Sequence, residues 1–330
     1  MIDNIQIRIN EFTGTFINCQ KVNENQNVIY FKLFGKFGSS LTITQNKARQ
    51  VVNILGSIRK WYFGQFSLLD LKQKDFSNAI DRLAKSLEIP LSEIKNVTVH
   101  VCEIGLNIRT STPCKTIIPL VVNYSNLKRY NYENETVGFI GTHKELRIYD
   151  KIQQLIDWKR DNTLIKKKSF GMLKEKGYHF LRIEFELNNI SEYIKDSFQK
   201  NISINFIINN YDTLYLFWSK EISKILISNG FNYDHIKNQK EFALAVGIDS
   251  IGFSKFKTEL LTRCSSKTIN GLKTSRSKAN AELISLVKKY PLKNKYDLSK
   301  FRIDIAKTLI RNREKDASIS LPVLLRNLWG

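Results

Sequence analysis

The sequence predicts an α+β fold, in which a largely antiparallel sheet is flanked by helices and followed by a helical, basic C-terminal region. Three observations predict it. Segments in which apolar and polar residues alternate recur through the first part of the chain, as in sheets with one covered face. Stretches with helical apolar spacing lie between them. Beyond residue 235 only the helical spacing continues, so we divide the chain into residues 1–235 and 236–330.

The N-terminal elements alternate between strand and helix patterns. Residues 46–60 are predicted to form a helix, and residues 75–89 a second, amphipathic helix. Residues 96–108, NVTVHVCEIGLNI, are predicted to form a long strand. Shorter strands are predicted from period-two or β-rich segments: IQIRI, FTGTFI, NVIYFKLFGKF, LTIT and the start of FSLLDLKQ.

The middle of the chain continues with strands. GFIGTHKELRIYDK, residues 138–151, is predicted to be a hairpin, and IQQLIDWKRDN a short helix. The basic stretch LIKKKSFGMLKEKG, residues 164–177, is predicted to be a flexible loop. FLRIEFEL is a strand that leads through a turn into a helix, and residues 212–230 form a helix ended by Gly230. Four helical segments follow: KEFALAVGI, FSKFKTELLTRC, ANAELISLVKKY and FRIDIAKTLIRNREKD.

The charge of the chain indicates a polyanionic partner. The formal net charge is +21, and residues 251–330 contain 18 Lys and Arg against 6 Asp and Glu, a net charge of +12. A field of this size attracts nucleic acid first and an anionic membrane surface second. A solubilising surface is the alternative, although such surfaces normally mix both signs.

Cysteine usage and hydropathy favour a cytoplasmic protein that acts on nucleic acid. The four cysteines are far apart and form no CxxC pair, which argues against a zinc site and suits a reducing compartment. The N-terminus does not have the pattern of a signal peptide. The longest apolar stretch, IIPLVV at 117–122, is too short to span a bilayer, so we predict no membrane partner.

One strand carries charged residues on a single face. In LRIEFEL, Arg182, Glu184 and Glu186 alternate with apolar residues, and neighbours on one face lie roughly 7 Å apart. Two carboxylates at that spacing could share a divalent cation, and their hard oxygen atoms suit Mg²⁺ or Mn²⁺. The alternative is an ordinary strand with one solvated face.

The segment ELRIYDK shows the same alternation. Arg147, Tyr149 and Lys151 share one face, so pairing with the first strand would place positive groups beside the carboxylates. Such groups could form a phosphate-binding surface around a metal ion. The alternative is a set of cross-strand salt bridges worth under ~1 kcal/mol each.

Three segments resemble replication proteins. RIEFEL followed by a polar turn and EYI resembles the segment around the nicking tyrosine of staphylococcal-type plasmid rolling-circle initiators. GTHKELRIYDK is similar to the G-S-x-K-x-x-x-I-Y-x-K segment that precedes it in those proteins. Residues 66–107 resemble phage and plasmid replication proteins of the gene II/X family, with their helix L-x-x-A-I-x-x-L and a strand ending near E-x-G-x-N. Together these segments cover about the central half of the chain.

The resemblance implies a metal-dependent endonuclease that nicks one DNA strand at an origin and later rejoins it. Tyr193 would be the nucleophile and would form a 5′-phosphotyrosine link. Glu184 and Glu186 would bind Mg²⁺ or Mn²⁺, with Glu103 as a third ligand, and the scissile phosphate would be held by positive groups. These groups are Arg182, Lys151 and Arg147, and Tyr149 is the reserve nucleophile or a base-stacking residue.

The basic segments of the chain and the resemblance together predict DNA contacts, a bacterial host and further partners. The predicted DNA-binding residues are Lys144, Arg147, Tyr149, Lys166, Lys167, Lys168, Lys273 and Arg276. Residues 1–235 would form the nicking and joining domain, and residues 236–330 would bind DNA or a partner such as a host helicase or a second copy. Two alternatives remain: a non-catalytic DNA- or RNA-binding protein, and a relaxase- or transposase-type strand-transfer enzyme.

Overall fold

The structure, a computed structural model, describes most of the chain. The described residues are 1–12, 14–132, 135–157, 164–194, 202–228, 230–263, 276–291, 298–313 and 319–329. Within them, no helix is long and apolar enough to cross a membrane.

A large antiparallel sheet forms the centre of the molecule. Its ten strands follow the order β2-β3-β4-β5-β1-β6-β11-β10-β9-β8, and two further strands, β12 and β7, form a separate pair. The strands are β1 (Ile2–Ile9), β2 (Gln20–Glu24), β3 (Val28–Phe34), β4 (Ser40–Asn46), β5 (Val51–Ser57), β6 (Thr98–Thr110), β7 (Val121–Tyr124), β8 (Lys128–Tyr132), β9 (Thr136–Ile140), β10 (Lys144–Asp150), β11 (His179–Leu187) and β12 (Ile225–Ile227).

Helices flank the sheet, so the predicted α+β class with a largely antiparallel sheet is confirmed. The helices are α1 (Ile58–Phe63), α2 (Gln73–Leu87), α3 (Leu91–Asn96), α4 (Cys114–Ile117), α5 (Lys151–Asp157), α6 (Leu164–Glu175), α7 (Ile204–Asn209), α8 (Asp212–Ile222), α9 (Gln239–Ile251), α10 (Phe253–Arg263), α11 (Arg276–Lys289), α12 (Leu298–Asn312) and α13 (Leu321–Trp329). The amphipathic helix predicted for residues 75–89 is α2, which buries Phe76, Ile80 and Leu83.

Two hydrophobic cores are present among the described residues. The larger joins the apolar face of the sheet to α2 and α8, and it also includes residues of α12 and α13 such as Leu309 and Leu324. The smaller contains Leu226 of β12 with residues of α9, α10 and α11. The sequence-based boundary at residue 235 therefore separates α9–α11 from the sheet, but the last two helices return to the main core.

Five local predictions were wrong. Residues 51–57 form strand β5 instead of a helix, because alternate residues such as Val52 and Ile54 are buried while the strand pairs with both β1 and β4. The segment 64–72 contains no strand, and residues 14–17 of FTGTFI contain none either. Residues 164–175 form helix α6 instead of a loop. The helix that begins at Asp212 ends at Ile222, and β12 follows it.

Candidate active site

Strand register places the predicted charged residues on one face of the central sheet. Glu184 on β11 is paired with Gly105 on β6 and with Arg147 on β10. Two residues further along β11, Glu186 is paired with Glu103 on β6. Because side chains alternate between the faces of a sheet, all of these side chains project on the same side. The pairing of the LRIEFEL and ELRIYDK segments inferred from alternation is therefore present in the structure.

Gly105 has no side chain, and the charged cluster fills the space that a side chain would take. A Cβ atom at position 105 would lie 2.7 Å from the Cβ atom of Glu184 and 3.0 Å from a terminal guanidinium nitrogen of Arg182. The backbone oxygen of Ile183 would also be 3.0 Å away, so the strand itself could not yield easily. The glycine thus allows close packing of the charged groups against the strand.

Replacing Gly105 by alanine should therefore destabilise the protein by about 1–3 kcal/mol, the usual effect of overpacking a buried site. Gly171→Ala is the matched control, since nothing lies within 4 Å of a Cβ atom there and the position is inside helix α6. Alanine is the better helix former, so this control should be stabilised by roughly 0.5–1 kcal/mol. Urea unfolding measures both variants, and equal effects of the same sign would contradict the prediction.

A β-bulge adds Asp3 and Asn4 to the same face. The pairing of β1 with β6 shifts between Ile2 and Ile5, so that one extra residue of β1 lies opposite Glu103. As a result the amide of Asn4 donates to Glu103 Oε2 at 2.6 Å, and carboxylate oxygens of Asp3, Glu103 and Glu184 lie within 4.8 Å of one another. Three neighbouring strands thus each contribute one buried carboxylate.

Arg182 is the central cation of this cluster. Its side chain is fully buried, and its guanidinium donates to Glu184 Oε2 at 2.9 Å, to Asp70 Oδ1 at 3.1 Å and to Asp3 Oδ2 at 2.8 Å. A fourth carboxylate oxygen, Oε1 of Glu103, lies 3.5 Å away. Buried charges persist only when they are paired in this way. Arg182 therefore holds the acidic groups together.

Arg147 and Tyr149 of β10 cover the cluster from one side. Arg147 lies 3.1 Å from Glu103, 3.0 Å from Glu184 and 2.9 Å from Glu186. About a third of the side chains of Arg147 and Glu186 is exposed (30% and 34%), so this edge is the rim that solvent reaches. Tyr149 is buried, and its hydroxyl donates to Glu184 Oε2 at 3.1 Å.

Two further buried basic side chains complete the site. Arg59 of α1 donates to Asp3 Oδ2 at 2.9 Å. Lys151, the first residue of α5, places Nζ 5.6 Å from the ring centre of Tyr149 and donates to Gln154 at 2.7 Å. Burial lowers the pKa of Lys151 well below its usual range, and the positive charges of Arg59 and Arg182 lower it further. This shift favours the neutral amine, the form that can accept a proton.

The carboxyl groups of the cluster titrate differently. Burial alone would raise the pKa of Asp3, but Arg59 and Arg182 hold it well below its usual range. The pKa of Glu184 is also lowered, because Arg182 and Arg147 outweigh the effect of burial. Burial raises the pKa of Glu103 to about 8, with Glu184 and Asp3 adding to the rise. Glu103 is thus the carboxyl group whose burial the neighbouring Arg182 and Arg147 do not offset.

The protonation of Glu103 should make stability depend on pH. Its pKa is near 4.5 when solvated and about 8 in the fold, so the folded protein keeps a proton that the unfolded chain releases between these values. This group therefore lowers the free energy of unfolding as pH rises through that window, by up to about 1.4 kcal/mol per pH unit.

Urea unfolding at several pH values checks this prediction. The Glu103→Gln variant should lack this part of the pH dependence and should gain stability relative to the wild type between about pH 5 and about pH 8. Glu93→Gln, at an exposed position of α3, is the control and should follow the wild type. Parallel curves for the wild type and Glu103→Gln would contradict the assignment.

The donor set of Asp3, Glu103 and Glu184 fits a hard divalent cation. All three offer carboxylate oxygens, the ligands that Mg²⁺ and Mn²⁺ prefer, and the oxygens are close enough to share one ion. The raised pKa of Glu103 indicates a carboxylate that an added positive charge would stabilise. Glu186, predicted as a ligand, lies instead at the rim and is paired with Arg147.

Tyr193 lies on the other side of the sheet, so its predicted position beside the carboxylates is corrected. Its ring centre is 6.0 Å from that of Phe217, which is 5.8 Å from that of Phe185. Phe185 alternates with the two glutamates of β11 and therefore projects on the opposite face. A short 3₁₀ helix, Ile190–Glu192, follows the strand and leads the chain over the apolar face. Burial, Glu192 and Glu221 raise the pKa of the Tyr193 hydroxyl.

Lys144 lies beside Tyr193 and not in the charged cluster. Its ammonium group is 5.4 Å from the centre of the Tyr193 ring and 2.8 Å from Glu221 Oε2. It is the first residue of β10, on the face opposite to Arg147. The structure therefore groups Lys144 with Tyr193 and Glu221, away from the predicted ligands.

The remaining predicted DNA-binding residues lie on α6, on α11 or outside the described part of the chain. Lys168 is exposed on α6, and Arg276 is the exposed first residue of α11. Lys166 and Lys167 belong to α6, but their side chains lie outside the described part of the structure. Lys273 lies outside the described residues.

Three residues of the cluster had not been predicted: Asp3, Arg59 and Asp70. The alternation in β1 would place Asp3 with Ile5 and Ile7 on the apolar face, and only the bulge brings it to the opposite side. Asp70 lies in a segment without regular structure, where it accepts hydrogen bonds from Asn107 at 3.0 and 3.1 Å. The spacing of Glu103, Gly105 and Asn107 on one strand face was the available signal for this region.

The chain was also compared with known proteins. No protein-family model, no curated protein and no solved structure matched it. Inference about its activity therefore rests on the site itself and on the sequence resemblance.

Proposed function

We propose that the protein is a metal-dependent enzyme that cuts and rejoins one strand of DNA, of the kind that starts rolling-circle replication. The observation that supports this most directly is the cluster of three buried carboxylates, Asp3, Glu103 and Glu184, with the hydroxyl of Tyr149 hydrogen-bonded to one of them. A nucleophile beside a candidate metal site and several cations is what phosphodiester transfer needs.

The charge of the protein supports DNA as the substrate. A net charge of +21 favours association with a polyanion. At the site, Arg147 is partly exposed at the rim and can meet a phosphate that approaches from solvent. Arg182 is fully enclosed by carboxylates, so its role is to position them and not to bind the substrate. Cytoplasmic location, a host helicase and a second copy remain predictions from the sequence.

Tyr149, and not Tyr193, is the nucleophile in this proposal. Its phenolic oxygen attacks the phosphorus atom, the bond to the 3′ oxygen breaks, and a 5′-phosphotyrosine forms. The phenol loses one proton and the leaving 3′ oxygen gains one, so the step is balanced. Burial and the charge of Glu184 raise the pKa of Tyr149 well above its usual range, so it needs a base. We assign this role to Lys151, whose Nζ lies 5.6 Å from the centre of the Tyr149 ring and whose pKa is lowered by burial.

Asp3, Glu103 and Glu184 would hold the metal ion. When bound, a divalent cation polarises a phosphate oxygen and neutralises charge that develops during transfer. Arg59 and Arg182 hold Asp3 and Glu184 in place through their hydrogen bonds. The fold thus places the donor groups and the nucleophile on four adjacent strands, β1, β6, β11 and β10, and Lys151 on the first turn of α5.

A second candidate function is non-catalytic binding of DNA or RNA. The observation that favours it is the position of Arg182, whose guanidinium already contacts Asp3, Glu103 and Glu184. A cluster neutralised in this way is also found as a structural element of buried polar cores. In that case the carboxylates would balance charge and would bind no metal ion.

One experiment separates the two functions. The protein is incubated with Mn²⁺ and labelled single-stranded and supercoiled DNA, and any covalent adduct is mapped by peptide mass spectrometry. Enzymatic function predicts an adduct on the peptide that contains Tyr149. Metal binding is measured in parallel by thermal unfolding at pH 8. Mn²⁺ should stabilise the wild type more than Glu103→Gln. If no adduct forms and Mn²⁺ does not stabilise the protein, non-catalytic binding of DNA or RNA is the function.

A further inference from the structure

A basic pocket lies at the far end of strand β6, away from the acidic cluster. It has a volume of about 420 Å³ and is formed by the end of β6, the turn before β11 and one side of α12. Of the described residues that line it, three are cationic, Arg109, Lys307 and Arg311, and one is a carboxylate, Asp304. All three cations are exposed at its mouth. The size falls in the range of ligand sites, and the charge indicates an anionic ligand.

The carboxylate of Asp304 is already engaged in hydrogen bonds. Asp304 accepts hydrogen bonds from the backbone nitrogen of Ser111 at 3.0 Å and from its hydroxyl at 3.2 Å. These bonds tie the end of β6 to α12 and so fix the pocket walls. Within the described part of the chain, none of the three cations forms an ion pair with a carboxylate. Their positive charge is therefore free to act on a ligand.

Protein contacts hold two of the cations in position without neutralising them. The guanidinium carbon of Arg109 lies 4.6 Å from the ring centre of Tyr178. A terminal nitrogen of Arg311 donates to the backbone oxygen of Asn107 at 3.4 Å. Guanidinium groups held in this way bind phosphate oxygens with little loss of side-chain entropy. Phosphate is thus the anion that the pocket suits best.

The lining favours a backbone phosphate over a free nucleotide. Among the described residues that line the pocket there is no aromatic side chain, so none of them offers a nucleoside base a ring to stack on. Arg109 is also on the same strand face as Glu103, six residues further along, which is roughly 20 Å. At about 3.4 Å per nucleotide of a duplex strand, this corresponds to about six nucleotides.

We propose that the pocket formed by Arg109, Lys307 and Arg311 binds a backbone phosphate of the DNA strand whose scissile bond lies at the acidic cluster. The location relative to the scissile bond rests on the proposed function, but phosphate binding by the pocket does not. Asn107 connects the two sites, because its backbone oxygen accepts from Arg311 and its side-chain oxygen lies 3.4 Å from a nitrogen of Arg182. The pocket would thus anchor the strand in register with the cutting site.

Binding in EDTA tests the pocket independently of catalysis. The probe is a fluorescent oligo-dT about 20 nucleotides long, longer than most single-strand footprints. Lys307→Gln should weaken binding by about tenfold, the usual effect of losing a charge-assisted contact. The salt dependence of log K should also become shallower by about 0.7. Arg302→Gln is the matched control, since it removes one exposed charge from the same helix outside the pocket.

The outcomes separate the sources of phosphate. A large effect of Lys307→Gln with less than about a twofold effect of Arg302→Gln supports the proposal. Equal effects of both variants would show a diffuse electrostatic field and would overturn it. Competition with inorganic phosphate and AMP is the second arm: if they bind at Lys307 while oligo-dT binding is unchanged by the variant, the ligand is a small molecule and the proposal fails. Absence of nicking alone leaves the pocket result intact.

Discussion

Replacing Arg182 by methionine should lower the free energy of unfolding by about 3–5 kcal/mol, the usual effect of leaving buried charges unpaired. The guanidinium of Arg182 is fully buried and contacts carboxylates from three parts of the chain, Asp3, Asp70 and Glu184. Methionine fills much of the same volume but supplies neither charge nor hydrogen bonds. Urea unfolding at pH 7 measures the difference.

The effect of this substitution should also depend on pH. The pKa values of Asp3 and Glu184 are lowered in the fold, partly by Arg182. A lowered pKa contributes stability that is present above the unfolded value of about 4 and is lost as the pH falls through the folded value. The stability difference between the wild type and Arg182→Met should therefore shrink below about pH 4.

Arg8→Met is the control for Arg182→Met. Arg8 is exposed on strand β1 of the same sheet, so the same exchange of residue types should change stability by less than about 0.5 kcal/mol. If the two variants lose equal stability, the buried network does not hold the strands together. If Arg182→Met is more stable than the wild type, the cluster is a strained binding site whose arginine destabilises the fold.

Alternation made the central sheet predictable from the sequence. The segments LRIEFEL and ELRIYDK each have a single charged face, and a one-residue slip would have buried charges among apolar residues. The register of Glu184 with Arg147 follows from this constraint. The helix predicted for residues 46–60 failed because the apolar residues of β5 satisfy helical spacing and alternation at once. Pairing with β1 and β4 on its two sides makes this segment a strand and not a helix.

The composition of the site was less predictable, because it depends on contacts between distant segments. A bulge between Ile2 and Ile5 moves Asp3 to the charged face, and no local pattern marks a bulge. Tyr193 follows β11 by a few residues, but the face to which a turn leads is set by the packing of Phe217 on the sheet. Tyr149, in contrast, lies within a strand, where alternation fixes its face. The resemblance had made it the reserve nucleophile or a base-stacking residue.

Replacing Tyr149 by phenylalanine should reduce DNA nicking at least about a thousandfold, as expected for loss of a nucleophile. Tyr193→Phe should leave the rate within about twofold, because the Tyr193 ring lies on the opposite face of the sheet beside Phe217. The measurement is the rate of Mn²⁺-dependent nicking and the yield of covalent adduct with labelled DNA. Both substitutions remove one hydroxyl and keep the ring, so they are matched in size and chemistry.

Measuring DNA binding in parallel shows whether Tyr149→Phe loses nicking because it is unfolded or because it lacks the hydroxyl. Loss of the hydrogen bond from Tyr149 to Glu184 should cost only about 1–3 kcal/mol of stability, and binding of oligo-dT in EDTA should stay near that of the wild type. The reverse pattern, with full activity in Tyr149→Phe and none in Tyr193→Phe, would move the reaction to the face that carries Lys144 and Glu221. The cluster of Asp3, Glu103 and Glu184 would then be structural, because the sheet itself separates it from the nucleophile.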